Sequence, residues 1–214
     1  MQIKWRGHSL MEIDLQDGRV ILTDPYDETV GYPFPSKIEA DIVTVSHDHY
    51  DHNAVKRVKG NPKVIKTAGE HLLDGVKITG IPVFHDNKGG KQRGSNLIFI
   101  IEAEGLRLAH FGDLGHTLDE AQKQILTDLD VMMIPVGGFF TIDAKTAWGL
   151  VQELKPKHLI PMHYKTTYVE DFPISPVDDF LKLASDFEDL NELTVESGSL
   201  PSSPKVVKLE LARL

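Results

Sequence analysis

The sequence contains no cysteine. Disulfides and thiolate ligation are therefore excluded, and any bound metal must be held by nitrogen and oxygen donors. No apolar run reaches the roughly 20 residues of a membrane-spanning helix, so no membrane association is expected. The opening residues Met1-Gln2-Ile3-Lys4-Trp5-Arg6 lack the apolar segment of a secretory signal, which makes a cytoplasmic location the expectation. Positive charge is in deficit: 23 Lys and Arg against 32 Asp and Glu leave a formal net charge of −9. Such a field repels nucleic-acid backbones and anionic membranes alike, so no nucleic-acid partner is expected. Internal repeats, low-complexity tracts and Gly/Ser linkers are also missing. Residues 1–214 are expected to form a single domain, long enough to bury a sizeable core.

Residues 3–5, 10–15 and 19–23 read as short strands, the last two joined by a turn at Gln16-Asp17-Gly18. Pro25 stops the third and leaves Asp24 at its end. Further strands are expected at 42–45, 63–66, 96–101, 106–109, 131–136 and 159–162, and two more at 192–196 and 205–211. The apolar run 76–84 is expected to bend at Gly80 and Pro82. A short helix fits 53–58. Thr117 and Glu120 have capping-box spacing for a second helix, and Asp143 can cap a third whose buried face is Ala144, Ala147, Trp148 and Val151. Ser175 and Pro176 open a fourth, with Val177, Phe180, Leu181 and Ala184 on one face. Strands gather early and recur after the helices, so two sheets covered by helices, an α/β sandwich, fit better than a doubly wound parallel sheet.

Histidine and aspartate, by contrast, are concentrated. The run Ser46-His47-Asp48-His49-Tyr50-Asp51-His52-Asn53 follows an apolar strand, and imidazoles two residues apart on extended chain can turn to one side. Asp51 and His52 then address a neighbouring point, the arrangement of two metals sharing one loop. His85, Asp113 and His163 also stand at or just beyond strand ends, where a rigid scaffold places chemistry. A dinuclear hydrolytic centre needs neutral imidazoles, a bridging carboxylate and open positions. His47, His49 and His85 are assigned to one metal, Asp51, His52 and His163 to the other, and Asp113 to the bridge. Two divalent ions are implied, zinc first, with manganese, iron or nickel also accepted by such donors.

These elements, together with Asp24 after its strand, Phe111-Gly112-Asp113 and Ile160-Pro161-Met162-His163-Tyr164, resemble the metallo-β-lactamase superfamily in content and order. Trp5-Arg6-Gly7-His8-Ser9 and Thr23-Asp24-Pro25 are most similar to the branch containing L-ascorbate-6-phosphate lactonase and N-acyl phosphatidylethanolamine phospholipase D. The resemblance implies a four-layer αββα sandwich with the metals at one edge between the sheets. Other branches fit less well. Flavodiiron relatives carry Glu where His49 stands, and the tail after His163 is short for the helical domain of glyoxalase II.

Around this set, Asp24 is expected to accept a hydrogen bond from a ligating imidazole and fix its tautomer, and His8 to orient a ligand, lie near substrate or stand structurally. His116, three residues past Asp113, is the candidate acid for a leaving group. His110 reads as a strand histidine. Lys88, Lys91 and Arg93 make a local positive cluster after His85; Lys91 and Arg93 are candidates for an anionic substrate, although a solvated hairpin tip is the simpler reading. Tyr164 and Phe139-Phe140 are candidate pocket residues. The expected activity is metal-assisted hydrolysis of a small-molecule ester-type bond, phosphodiester first, then lactone or thioester, with Asp51 also orienting the nucleophile or receiving its proton. The alternative is a metal-binding sensor or scaffold without turnover.

Overall fold

The computed structural model describes residues 1–35 and 38–212. Three short strands, β1 (Gln2–Trp5), β2 (Met11–Asp14) and β3 (Val20–Thr23), form an antiparallel meander. The turn into β3 needs Gly18 at φ 89°, a conformation open to glycine. The chain then adds β4 (Ile42–Thr44) and β5 (Lys63–Ile65) in parallel. A second meander follows: β6 (Gly69–Leu73), β7 (Val76–Phe84), β8 (Ser95–Ala103) and β9 (Leu106–His110). Helix α1 (Glu120–Ile125) leads to β10 (Val131–Pro135), and α2 (Ala144–Leu154) crosses to the parallel β11 (His158–Met162). The chain closes with α3 (Asp178–Leu181), β12 (Phe187–Leu190), β13 (Leu193–Thr194) and β14 (Lys205–Leu209).

The first sheet has the order β13-β1-β2-β3-β4-β5 and the second β12-β14-β11-β10-β9-β8-β7-β6. β10 and β11 are buried at every residue, as parallel strands covered on both faces must be, and Ala147, Leu150 and Val151 of α2 are buried with them. Ile3, Ile13 and Val43 of the first sheet share one hydrophobic cluster with Ile78, Phe99 and Ile160 of the second. Each such side chain contributes about 1.5–3 kcal/mol by leaving water. The architecture is an α/β sandwich of two sheets, as expected, with helices sparse: three α-helices among the described residues. None is long and apolar enough to cross a membrane.

Several local expectations are corrected. The stretch 53–58 holds a single 3-10 turn, Val55–Arg57. Helix α1 is capped by Asp119 rather than Thr117: the Asp119 carboxylate accepts from Gln122 N and the Gln122 side chain accepts from Asp119 N. The helix after Pro176 is one turn, with Phe180 and Leu181 buried. β7 runs straight through Gly80 and Pro82, and β6 and β12 are additional strands.

Strand direction determines where chemistry collects. β1, β3 and β4 run the same way in the first sheet, because β2 is antiparallel to its neighbours and β4 parallel to β3. β7, β9, β10 and β11 likewise share a direction in the second. The carboxyl ends of these strands carry His8, Asp24, the 46–52 loop, His85, Asp113 and His163.

Candidate metal centre

Asp24 anchors the loop after β4. It sits at φ 42°, is fully buried, and its own N–H donates to Thr44 O at 2.9 Å. Its carboxylate accepts from Ser46 N at 2.7 Å, from Ser46 Oγ at 2.6 Å and from His52 Nδ1 at 2.9 Å. Because Ser46 Oγ spends its proton on Asp24, it accepts from His47 Nδ1, 2.9 Å away. Both rings therefore carry their proton on Nδ1 and turn Nε2 inward, the arrangement that fixes tautomer and orientation in histidine metal sites.

The inward atoms form three groups whose potential ligand atoms lie within 4.8 Å of one another: His47, His49 and His85; His8, Asp51, His52 and His163; and His47, His52 and Asp113. Asp113 Oδ2 joins them, lying 3.2 Å from each Nε2 of His52, His85 and His163 and 4.0 Å from that of His47. His8 Nε2 is 3.3 Å from Asp51 Oδ2, and the His8 ring lies 4.2 Å from that of His163. Sequence reasoning had left His8 outside the ligand groups; the turn through Gly7 brings it in. His8 and His163 both hold φ 52°, a costly backbone for a non-glycine residue that concentrates at functional sites.

The second sheet brings its residues in through close backbone contacts. A Cβ on Gly115 would stand 2.3 Å from the His85 carbonyl carbon, and one on Gly137 2.2 Å from His163 O. Asn96, which sequence reasoning missed, accepts from Asp113 N at 3.1 Å and donates to Phe111 O at 2.9 Å. Ser46 was missed as well; its place directly before His47 was the only available signal.

Charge and satisfaction both fit a cation. Burial, reinforced by neighbouring imidazoles, lowers His47 to about 3 and His8 to about 4, so these rings are neutral donors. Burial opposes charge on Asp113 too, but His163 and His52 outweigh it and hold the carboxyl well below its usual range. At His52 burial is outweighed by Asp113 and Asp51, which raise its pKa well above the ordinary value; positive charge is favoured at this point. His47 Nε2, His52 Nε2 and Asp113 Oδ1 are buried without a hydrogen-bond partner in the protein. An unmade buried hydrogen bond costs about 1–3 kcal/mol, and inward imidazole nitrogens beside a carboxylate, once a cation takes the place of any proton on them, are the donor set of a divalent metal.

Residues 2–163 match the family model described as the beta-lactamase superfamily domain. A UPF0173 metal-dependent hydrolase of Thermococcus onnurineus is 30% identical over 195 residues, covering 78% of this chain and 85% of the relative. The protein belongs to this family of metal-dependent hydrolases. A Pyrococcus abyssi member is 29% identical over 216 residues, covering 87% and 93%. A crystal structure from Thermotoga maritima, assigned to the Zn-dependent hydrolases of the metallo-beta-lactamase superfamily, superposes with TM-score 0.81 at 41% identity over 97% of each chain.

In this hydrolase the cluster opens into a cavity of about 280 Å³. His49, Asp51, His85, Asp113 and His163 line it, together with Tyr50, Arg93, Phe140 and Phe172. Phe172 carried no signal in the sequence. Three candidate residues stand outside this lining. Tyr164 is 4% exposed and packs on Trp5 at 5.1 Å, in the core rather than the cavity. Lys91 is exposed and away from the lining. His116 accepts from Phe84 N at 3.0 Å through Nε2 and donates from Nδ1 to Thr117 O at 2.7 Å, so both nitrogens are committed to backbone. It faces a separate cleft of about 750 Å³ that, among the described residues, has no cluster of metal-ligating residues. His110 donates from Nε2 to Ser9 O at 2.8 Å, as a strand histidine tying β9 to the first sheet.

Proposed function

We propose that this hydrolase cleaves an ester-type bond of a small-molecule substrate with two divalent cations, zinc first and manganese, iron or nickel as alternatives. His47, His49 and His85 would hold one ion, Asp51, His52 and His163 the other, with Asp113 between them and His8 against Asp51. The observation that carries the reading is Asp113 Oδ2, 3.2 Å from ring nitrogens of both groups, the position of a shared carboxylate. The description of the Thermotoga maritima relative as Zn-dependent supports zinc. When bound, such ions polarise the scissile group and bring the pKa of water from 15.7 toward about 7.

The chain's own residues supply the rest. Asp51 is held below the carboxylate range, its burial outweighed by His52 and His8, so it stays ionised; it is the group assigned to orient the attacking water or receive its proton. The cavity is small by the standard of ligand pockets, which run from about 300 Å³ upward, and that size favours a compact substrate. Phosphodiesters come first, then lactones and thioesters; the likeness of residues 5–9 to the lactonase and phospholipase branch supports that range.

Elemental analysis followed by a panel of phosphodiester, lactone and thioester substrates tests this reading. Two ions per chain and turnover of one class are expected, with Asp113→Asn lowering kcat/KM on the order of 100-fold or more while circular dichroism shows the fold retained. Full turnover by Asp113→Asn with its metal in place would overturn the assignment. Metal bound without turnover of any class would favour the sensor alternative.

A further inference from the structure

The loop after His85 is exposed at residues 87–89, 91 and 92, yet its backbone is pinned. The Asp86 carboxylate accepts the backbone N–H groups of Lys88, Gly90, Gln92 and Arg93 at 2.7, 3.0, 2.9 and 2.8 Å. His85 N in turn donates to Gly94 O at 3.0 Å, so the backbone of Arg93 is tied to a residue of the candidate centre. Its guanidinium lies over two rings, 5.5 Å from the centroid of Phe140 and 5.9 Å from that of Phe139. The same side chain lines the cavity with Asp51 and Asp113, yet among the described residues it has no hydrogen bond or ion pair to either carboxylate or to any other group. In a chain of net charge −9, where acids outnumber bases, an unpaired guanidinium positioned over aromatic rings at the candidate site is a recognition element. Its planar fork matches carboxylate and phosphate oxygens. Phe140 and Phe172, 6.4 Å apart and steeply inclined, continue the wall as an apolar surface.

We propose that Arg93 binds an anionic group of the substrate, a carboxylate or a phosphate, while Phe140 and Phe172 hold a compact apolar body beside it. The substrate class is then a small anionic ester. This rests on the hydrolase reading above, and a binding measurement lets either fail alone: an absence of turnover counts against the hydrolase reading, whereas Arg93 is judged by affinity.

The test is calorimetry on zinc-loaded wild type, Arg93→Met and Arg93→Lys, with benzoate, phenylphosphonate and the neutral benzamide as probes and zinc content measured in each protein. Wild type is expected to prefer an anion to benzamide, and Arg93→Met to lose about tenfold or more of that anion's affinity, with benzamide nearly unaffected and zinc content unchanged. Arg93→Lys, which keeps charge without the fork, is expected to fall between them. A loss confined to phenylphosphonate assigns the phosphate class, and one confined to benzoate the carboxylate class. The proposal is overturned if Arg93→Met binds both anions as wild type does, if benzamide affinity falls by the same factor, or if wild type binds no anion at millimolar concentration.

Discussion

Asp24 does not line the cavity, yet it organises the half of the centre that comes from the first sheet. Three donors converge on its buried carboxylate, and two of them fix His52 directly and His47 through Ser46. Asn at this position keeps the shape but must point an amide N–H at a donor, either Ser46 or His52. Loss of a partner that orients a ligating histidine typically costs 10–100-fold in metal affinity, so Asp24→Asn should weaken zinc by about that factor. Chelator competition measures it, and unchanged affinity would mean that packing alone orients His52. At this scale the spacing of His47 to His52 was legible, because covalent proximity limits where those rings can go. Tyr164 and His116 were misread for the opposite reason. Tyr164 stands next to a ligand in sequence, but its neighbour in space is Trp5, and the backbone groups that occupy both nitrogens of His116 include Phe84 N, from another strand.

Among the elements, strands with a buried face could be read from periodicity and those without could not. Gly69–Leu73 has no fully buried residue, and Phe187–Leu190 has none either; both are held by backbone pairing to a neighbour, which leaves no apolar pattern to read. Pro82 was expected to bend β7. The ladder to β8 nevertheless runs unbroken through it, and β6 pairs only as far as Gly80, so the missing N–H of Pro82 falls where no outer ladder needs it. Glycine at 80 is required for another reason: a Cβ there would stand 2.6 Å from Thr67 O. Strand β2 carries a testable charge arrangement. Glu12 lies opposite Lys4 in register and accepts from Arg6 Nε at 2.8 Å. Burial pushes its carboxyl up, but Arg6 and Lys4 more than offset that and leave it below 4.5. A depressed pKa stabilises the fold above the unfolded value and loses that contribution as pH falls through the folded one. Glu12→Gln should therefore cost about 1–3 kcal/mol near neutrality, with its deficit shrinking below pH 4.5. Urea unfolding at a series of pH values measures this; a deficit independent of pH would assign the loss to packing.

On the scale of the whole molecule, the candidate ligands are divided between the sheets. His47, His49, Asp51 and His52 follow β4 of the first, while His85, Asp113 and His163 follow β7, β9 and β11 of the second. A cation held by both groups would link the open edge of the sandwich, adding to the few backbone contacts that join the sheets there, Leu97 N to Ser46 O at 2.9 Å and His163 N to His8 O at 3.2 Å. Such a ligand binds the folded chain and not the unfolded one, so zinc at 100 times its dissociation constant should add about 2.7 kcal/mol. For a chain of this size each kcal/mol raises Tm by about 2–4 °C, and chelation should therefore lower Tm by about 5–10 °C at that loading. The division of ligands makes the prediction sharper than a simple metal effect. Replacing one residue from either sheet, His47→Ala or His85→Ala, should remove most of the zinc-dependent shift. A full shift surviving in His85→Ala would mean that His85 holds no metal, and that the 3.2 Å contact between His85 and Asp113 is packing rather than a shared site.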